Sequence, residues 1–316
     1  MPAYNEQKGI AACVRSLAAV DYSNVEIVVV DDGSTDDTAA VVAGLALPNV
    51  RLLRQPNAGK PAALNKGILL ARHDILILVD GDTILEPDGV RALIEPFAEP
   101  HVGAVSGNTK VGNRRGLLGR WQHIEYVIGL NLDRRMFDVM RCMPTLPGAI
   151  GAFRRQAVEE VGGVSEDTVA EDTDLTMAIC RAGWRVLYAA DARAWTEAPA
   201  SMGQLWRQRY RWCYGTLQAV RKHRGAIGQS GSAGKLGRRG LRTCWHFTFC
   251  FRCSPRSWMS PRFMRSSCHR LPRSCCTSGS ASLRCSCLVR STPSDWIASR
   301  SVRSGVFHSN RSLIDS

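Results

Sequence analysis

The fold of this chain is decided by a short apolar run that ends in two acids: Asp74-Ile75-Leu76-Ile77-Leu78-Val79-Asp80-Gly81-Asp82. Consecutive apolar residues between turn-forming ends are typical of a parallel strand, which is buried on both faces and does not alternate. In an open α/β sheet the carboxyl ends of such strands face the ligand crevice. Two carboxylates at that point, separated by a glycine, predict a site for a divalent cation that holds a diphosphate. A solvated Asp-Gly-Asp turn is the alternative.

Strands and helices alternate on both sides of this run. Further strands are predicted at residues 25–30, 50–53, 102–106 and 184–189, with helices of ordinary length between them. This alternation predicts an α/β fold with a doubly wound, mostly parallel sheet and helices on both faces. The chain opens on a polar turn at residues 2–6, which predicts a first strand whose body is incomplete.

A second acidic cluster follows the strand predicted at residues 25–30. Ser34 and Asp37 fit a capping box for the next helix, which explains part of the cluster. Asp31 and Asp32 precede that cap, so we expect their side chains at the carboxyl end of the strand.

Charged residues also mark two predicted helix starts and the length of a third predicted helix. Lys60 opens a helix and opposes its dipole, which indicates that it meets an anion there, although a solvated lysine is an equal alternative. Glu171, Asp172 and Asp174 begin another helix, where acids usually complement the dipole. Residues 204–224 form a helix of arginines and aromatics, which suits a phosphate-bearing leaving group or a membrane surface. A solvated basic face is the other reading.

The net charge of +13 first suggests a nucleic-acid partner, but its distribution argues against one. Residues 241–316 carry twelve Arg, no Lys, two Asp and no Glu, which gives +10 and leaves +3 for residues 1–240. We expect no nucleic-acid partner. No apolar run approaches the roughly 20 residues that span a bilayer.

The last part of the chain differs in composition from the rest. Eight of the twelve cysteines fall in residues 241–316, without the spacing of a zinc site. Leucine codons of a GC-rich gene, read one base later, give cysteine codons. We therefore expect residues 241–316 to be an unstructured, out-of-frame tail, residues 226–240 a linker and residues 1–225 the catalytic domain.

Taken in order, the motifs resemble those of the processive family 2 glycosyltransferases, which include cellulose, chitin, hyaluronan and bacterial poly-N-acetylglucosamine synthases. The resemblance covers about residues 1–225. It rests on five motifs that are specific as a set: Pro2-Ala3-Tyr4-Asn5-Glu6, Asp31-Asp32-Gly33-Ser34, Asp80-Gly81-Asp82, Glu171-Asp172 and Gln208-Arg209-Tyr210-Arg211-Trp212. The resemblance implies a GT-A-like fold. It also implies that members of the family are integral proteins of the plasma membrane, with the catalytic domain on its cytoplasmic face.

The resemblance also implies a role for each matching residue. Asp172, with Glu171 beside it, would be the general base for the acceptor hydroxyl, and residues 147–149 would flank the acceptor path. Asp80 and Asp82 would hold Mg²⁺ or Mn²⁺ on the diphosphate. Gln208, Arg209, Arg211 and Trp212 would close over the diphosphate and the acceptor end. The full set implied to bind the donor nucleotide, which again includes Asp80, is Tyr4, Glu6, Asp32, Lys60, Asp80, Gln208, Arg209, Arg211 and Trp212.

The implied reaction moves a sugar, expected to be N-acetylglucosamine, from a UDP-sugar to a growing β-linked polysaccharide with inversion. A membrane surface is the third expected partner, although this chain, lacking an apolar span, would itself be cytoplasmic or peripheral. Two alternatives remain: a remnant that binds UDP-sugar without transfer, and a Mg²⁺-binding phosphorelay receiver. A nucleotide-binding dehydrogenase is less favoured, because no G-x-G-x-x-G follows a strand.

Overall fold

A computed structural model describes residues 1–246. Within this part of the chain, the strands are β1 Pro2–Ala3, β2 Ile27–Asp32, β3 Val50–Gln55, β4 Ile75–Val79, β5 Ile84–Leu85, β6 Val102–Val111, β7 Ile150–Arg154 and β8 Arg185–Thr196. The α-helices are α1 Ile10–Ala18, α2 Thr38–Gly44, α3 Lys60–Leu70, α4 Gly89–Ile94, α5 Gly116–Glu125, α6 Asp133–Val139, α7 Arg155–Glu160, α8 Glu171–Arg181, α9 Met202–Lys222, α10 Gly231–Lys235 and α11 Arg242–His246. Segments of 3-10 or π type join some of them: Glu95–Ala98, Tyr126–Leu132, Arg224–Gly228 and Leu236–Leu241.

The strands form one parallel and one mixed sheet. The first has the order β1-β2-β3 and is entirely parallel. The second has the order β4-β7-β6-β8-β5, in which β6 and β8 are parallel and the other described pairings are antiparallel. The predicted α/β architecture is confirmed, and its second sheet is more mixed than the regular alternation of strands and helices indicated.

The mixed order brings loops to the carboxyl end of β4. Because β7 runs antiparallel to β4, its first residue Ile150 lies opposite Val79, so residues 147–149 come next to the acids that follow β4. Strand β8 runs parallel to β6 and ends at Thr196, opposite Val111. The same end of the sheet therefore receives loops from three strands.

Helices cover both faces of the sheets, as predicted. One buried cluster includes Ile10 of α1 and Leu93 of α4, and a second includes Leu64 of α3, Val158 of α7 and Met177 of α8. All five side chains are buried. Burial of these side chains stabilises the packing of helices on the sheets by roughly 25 cal/mol per Å² of apolar surface removed from water.

Strand β1 is two residues long and pairs with β2. An apolar cleft of about 290 Å³ lies next to it, bounded by Ile27 and Val28 on β2 and by Ile75 and Ile77 on β4. Among the described residues, no strand pairing joins the two sheets across this cleft.

The predicted capping box at Ser34 is wrong. Helix α2 begins at Thr38 with Asp37 at its N-cap, and no side chain caps it. The Ser34 hydroxyl instead accepts a hydrogen bond of 3.0 Å from the backbone N–H of Asn5. The acidic loop after β2 is thereby tied to the loop that precedes α1.

Residues 226–240, predicted as a linker, are largely helical and pack against the rest of the domain. Ala226 and Leu236 are fully buried, and Leu241 is almost fully buried. Helix α11 covers the start of the predicted tail, whose remainder lies outside the described residues. None of the helices in residues 1–246 is both long and apolar enough to cross a bilayer.

Candidate active site

The two acids after β4 occupy the floor of a cleft. A Cβ on Gly81 would lie 3.2 Å from Cγ of Glu6, so a glycine here lets the loop after β1 approach closely. The Asp82 carboxylate accepts hydrogen bonds from the hydroxyls of Thr83 at 3.3 Å and Thr196 at 3.2 Å. Side chains at or just after the ends of three different strands therefore meet around Asp82.

This part of the cleft carries excess negative charge. Burial raises the pKa of Asp82, and the Asp80 carboxylate raises it further. Burial also raises the pKa of Glu6 to about 7, with added repulsion from Asp82, Glu197 and Asp80. Carboxyl pKa values raised in this way indicate a place where a cation would be favourable.

Lys60 supplies one positive charge to the cleft. Its Nζ lies 2.8 Å from Oδ1 of Asp80 and 2.8 Å from Oε1 of Glu171. Burial opposes its charged form, but the carboxylates of Asp80, Glu171 and Asp172 outweigh burial and raise the pKa of Lys60. The ammonium ion therefore stays charged and joins the end of β4 to the start of α8.

Asp172 lies in the first turn of α8 with both carboxylate oxygens engaged. Oδ2 accepts a hydrogen bond of 3.0 Å from the N–H of Gly148, and Oδ1 accepts one of 2.7 Å from the N–H of Thr173. Burial and then the charge of Glu171 raise the pKa of Asp172 to about 6, against the opposing effects of Lys60 and the two backbone donors. A carboxyl with this pKa is suited to accept a proton near neutral pH.

Asp174, the third acid of this helix start, is buried away from the cleft. Its carboxylate lies 2.7 Å from Nζ of Lys222 and 2.7 Å from Nε2 of His223, at the end of α9. Burial favours a higher pKa for Asp174, but the hydrogen bonds from His223 and Lys222 outweigh burial and lower it. Asp174 therefore joins α8 to α9.

Asp32 is buried at the end of β2 and holds the loop before α3. It accepts hydrogen bonds from Nε2 of Gln55 at 2.7 Å, from the N–H of Ala58 at 2.9 Å and from the N–H of Gly59 at 2.8 Å. These bonds fix the backbone that carries Lys60. Tyr4, another residue expected to contact the nucleotide, has almost half of its surface exposed.

Helix α9 adds basic and aromatic side chains to the cleft. Gln208, Arg211 and Trp212 line it. Arg209 forms an ion pair with Glu125 of α5, and its guanidinium carbon lies 4.4 Å from the centre of the Trp212 ring. Arg209 thus contacts the indole and links α9 to α5.

The cleft has a volume of about 700 Å³. It brings together eight of the predicted site residues: Lys60, Asp80, Asp82, Glu171, Asp172, Gln208, Arg211 and Trp212. Four predicted residues are not part of its described lining: Tyr4, Glu6, Asp32 and Arg209. Glu6 nevertheless lies within electrostatic reach of Asp82.

Two residues of the cleft were missed by sequence reasoning. Glu197 directly follows β8, and its signal, an acid after a strand, was lost because the strand was predicted to end at residue 189. Arg134 is buried on α6, where burial lowers its pKa to about 10 against the opposing effects of Tyr188, Tyr126 and Asp172. No sequence signal marked it.

The acids fit a divalent ion that shares its ligands with a phosphate compound. No group of three or more His, Cys, Asp or Glu side chains in residues 1–246 is arranged to hold a metal alone. Mg²⁺ typically takes one or two carboxylates and completes its shell with water and substrate phosphates. Asp80 and Asp82 match that donor set.

Comparison with known proteins is consistent with this geometry. The family described as "Glycosyltransferase like family 2" matches residues 1–215. The poly-β-1,6-N-acetyl-D-glucosamine synthase of Staphylococcus aureus is 34% identical over 215 residues, which are 67% of this chain and 52% of that protein. The Staphylococcus epidermidis enzyme of the same name is 30% identical over 217 residues, with the same coverage. The chain thus spans about half the length of the curated relatives it matches.

Solved structures with the same fold include two with bound nucleotide sugars. A mannosyltransferase from Pyrobaculum calidifontis, in complex with GDP-mannose and Mn²⁺, has a TM-score of 0.65 at 21% identity, covering 97% of this chain and 79% of that one. The S. aureus protein TarS, in complex with UDP-GlcNAc, has a TM-score of 0.57 at 17% identity, covering 83% of this chain and 76% of that one. These similarities confirm the predicted GT-A-like fold.

Proposed function

Because this chain belongs to the family 2 glycosyltransferases, we propose that it transfers N-acetylglucosamine from UDP-N-acetylglucosamine to a hydroxyl of a β-linked polysaccharide. The observation that carries the proposal is the position of Asp172. Its buried carboxylate shares one cleft with Asp80 and Asp82, and Lys60 lies between the two groups. A proton acceptor and a diphosphate-binding end therefore lie within reach of a single sugar.

The donor diphosphate binds at the Asp80 end of the cleft. Asp80 and Asp82 would hold Mg²⁺ or Mn²⁺, and such an ion would neutralise the charge that develops on the diphosphate. Arg211 adds a second positive charge, and Gln208 and Trp212 close the cleft over the donor. The expected roles of the remaining predicted residues form part of the same proposal: Tyr4, Glu6 and Asp32 around the uridine, and Arg209 behind Trp212.

Asp172 removes the proton from the attacking acceptor hydroxyl. The hydroxyl oxygen forms a bond to the anomeric carbon while the bond from that carbon to the diphosphate oxygen breaks, and the proton passes to Asp172. The two N–H groups from Gly148 and Thr173 orient the carboxylate. Attack from the face opposite the leaving group inverts the anomeric carbon, so an α-linked donor gives a β-linked product.

The sugar and the acceptor are proposed from the relatives. The curated relatives in Staphylococcus are named as poly-β-1,6-N-acetyl-D-glucosamine synthases. The cleft is also lined by Tyr126, Phe137 and Met143, and an acceptor sugar can lie against them beside residues 147–149. The receiver alternative is wrong, because the family match shows a glycosyltransferase domain.

We also propose that the domain rests on an anionic membrane surface. Large apolar side chains are exposed along residues 116–139 and α9: Leu117, Trp121, Ile124, Ile128, Leu132, Val139, Met202, Trp206, Tyr210 and Tyr214. Arg120 and Arg207 are exposed on the same elements, and Arg115 is exposed directly before α5. Apolar and basic side chains in this combination suit a helix that lies in a lipid interface. Co-sedimentation with lipid vesicles tests this proposal. The protein should sediment with anionic vesicles and not with neutral ones.

Transfer of radiolabelled sugar from UDP-N-acetylglucosamine in the presence of Mn²⁺ tests the proposed reaction. Asp172→Asn should abolish transfer and keep UDP binding, measured as thermal stabilisation by UDP with Mn²⁺. Asp191→Asn, at an exposed position of β8, is the matched control and should behave like the wild-type chain. Full transfer by Asp172→Asn would contradict the assigned base, and UDP binding without transfer by the wild-type chain would favour the binding remnant.

A further inference from the structure

One ammonium group neutralises two acids of the cleft that belong to different elements. Lys60 lies at the start of α3 and contacts Asp80, after β4, and Glu171, at the start of α8, at 2.8 Å each. Asp80 is one of the two proposed ligands of the divalent ion. The same carboxylate therefore serves two cations, the ammonium of Lys60 and the metal.

The two cations exclude one another at Asp80 unless a further anion is present. An ammonium ion in direct contact with Asp80 would stand within a few Å of a metal bound to the same carboxylate, and like charges at that distance repel strongly. Glu171 alone would then hold the ammonium, and a metal ion brings no further negative charge to replace Asp80. A diphosphate does, because its oxygens accept hydrogen bonds from a lysine.

We propose that Lys60 is the internal counter-cation of the donor-free cleft, and that it makes binding of the metal depend on binding of the nucleotide diphosphate. This inference rests on the proposed function. In the donor-free state Lys60 neutralises Asp80. When the diphosphate arrives, the ammonium moves from Asp80 to a phosphate oxygen, and Asp80 becomes available to the metal.

The packing around Gly148 shows that the position of Lys60 is built into the cleft. A Cβ at residue 148 would lie 2.9 Å from Nζ of Lys60, 3.5 Å from Oδ2 of Asp80 and 3.7 Å from Oδ2 of Asp172. The ammonium thus fills the space left by a glycine between two acids. The hydrogen bonds from Ala58 and Gly59 to Asp32 fix the start of α3 at the same time.

Binding of Mn²⁺ measures the effect directly, because the electron paramagnetic resonance signal of free Mn²⁺ is lost on binding. For the wild-type chain, UDP should strengthen Mn²⁺ binding by about tenfold or more, a usual size for coupling between two ligands. Lys60→Met should bind Mn²⁺ without UDP about tenfold more tightly than the wild-type chain. UDP should strengthen that binding by a smaller factor than in the wild-type chain, because its phosphates still supply ligands to the ion. Lys66→Met is the matched control, since Lys66 lies on the same helix and donates a hydrogen bond to the carbonyl of Arg54.

The possible outcomes separate this inference from the proposed function. If Lys60→Met binds Mn²⁺ alone no more tightly than the wild-type chain, the role of Lys60 is overturned, while Mn²⁺ binding with UDP still supports the transferase. If the wild-type chain binds no Mn²⁺ even with UDP, the proposed function fails. Lys60→Gln, which keeps a polar side chain, gives the same comparison should the methionine variant not fold.

Discussion

The backbone N–H of Gly148 donates a hydrogen bond of 3.0 Å to the carboxylate of Asp172. Gly148 precedes β7 and Asp172 lies in the first turn of α8, so this bond joins the loop expected along the acceptor path to the proposed general base. Since Thr173 donates to the other oxygen, the carboxylate has a fixed orientation. The antiparallel entry of β7 beside β4 makes this contact possible.

The rate of transfer should depend on the ionisation of Asp172. Its pKa is raised to about 6, and only the ionised carboxylate accepts a proton. With saturating donor and Mn²⁺, we expect kcat to be constant above that pH and to fall by about tenfold per pH unit below it. A kcat that rises as the pH falls through 6 would contradict the assignment. UDP binding, followed over the same range, serves as the control.

Gly148→Ala should reduce activity with little loss of stability. The added methyl group would meet the end of the flexible Lys60 side chain, which can move, but it would displace the ammonium from Asp80. Misplacement of a site group by about 1 Å can lower a rate by about 100-fold. Gly44→Ala is the control, because a methyl group there meets no atom within 4 Å. Steady-state kinetics and urea unfolding of both variants check the expectation.

Arg134→Met should separate stability from activity. The guanidinium of Arg134 is buried, and replacement of a buried charge by an apolar side chain of similar size is often neutral or stabilising by about 1 kcal/mol or more. Loss of a cationic donor that lines the cleft should nevertheless lower kcat/KM. Arg135→Met, at the exposed neighbouring position, should change neither quantity much. A strongly destabilised but fully active Arg134→Met would show a purely structural role.

Asp174→Asn should destabilise the domain strongly, whereas Asp167→Asn should not. Both carboxylates pair with Lys222, but Asp174 is buried and Asp167 is exposed. Removal of one partner from a buried pair typically costs about 3–5 kcal/mol, and from an exposed pair about 0–1 kcal/mol. Urea unfolding at pH 7 measures both changes in the free energy of unfolding, and equal effects would contradict the assignment.

The Asp174 network should also make stability depend on pH. Its folded-state pKa is lowered, so the stabilisation is fully present above the unfolded-state pKa and is lost as the pH falls through the folded-state pKa. Unfolding free energies measured from pH 7 into the acid range should therefore decline more steeply for the wild-type chain than for Asp174→Asn.

Features that depend on neighbouring residues were predictable from the sequence. Strands β2 and β3 overlap the strands predicted at residues 25–30 and 50–53, and the two acids after β4 follow a strand as the apolar run indicated. Local periodicity and turn residues carry this information, because they act within one or two turns of chain. The motif set likewise identified the family that matches residues 1–215.

The contacts that complete the cleft were decided only by the tertiary structure. Asp172 and Asp174 share one acidic motif, yet two residues along a helix point about 200° apart, so one faces the cleft and the other faces α9. Which face is buried depends on the packing of α8 against α9. The insertion of β7 between β4 and β6 and the bridge from Lys60 to Glu171 likewise join residues far apart in the chain. No local pattern encodes such pairings, because their free energy comes from surfaces that meet only after folding.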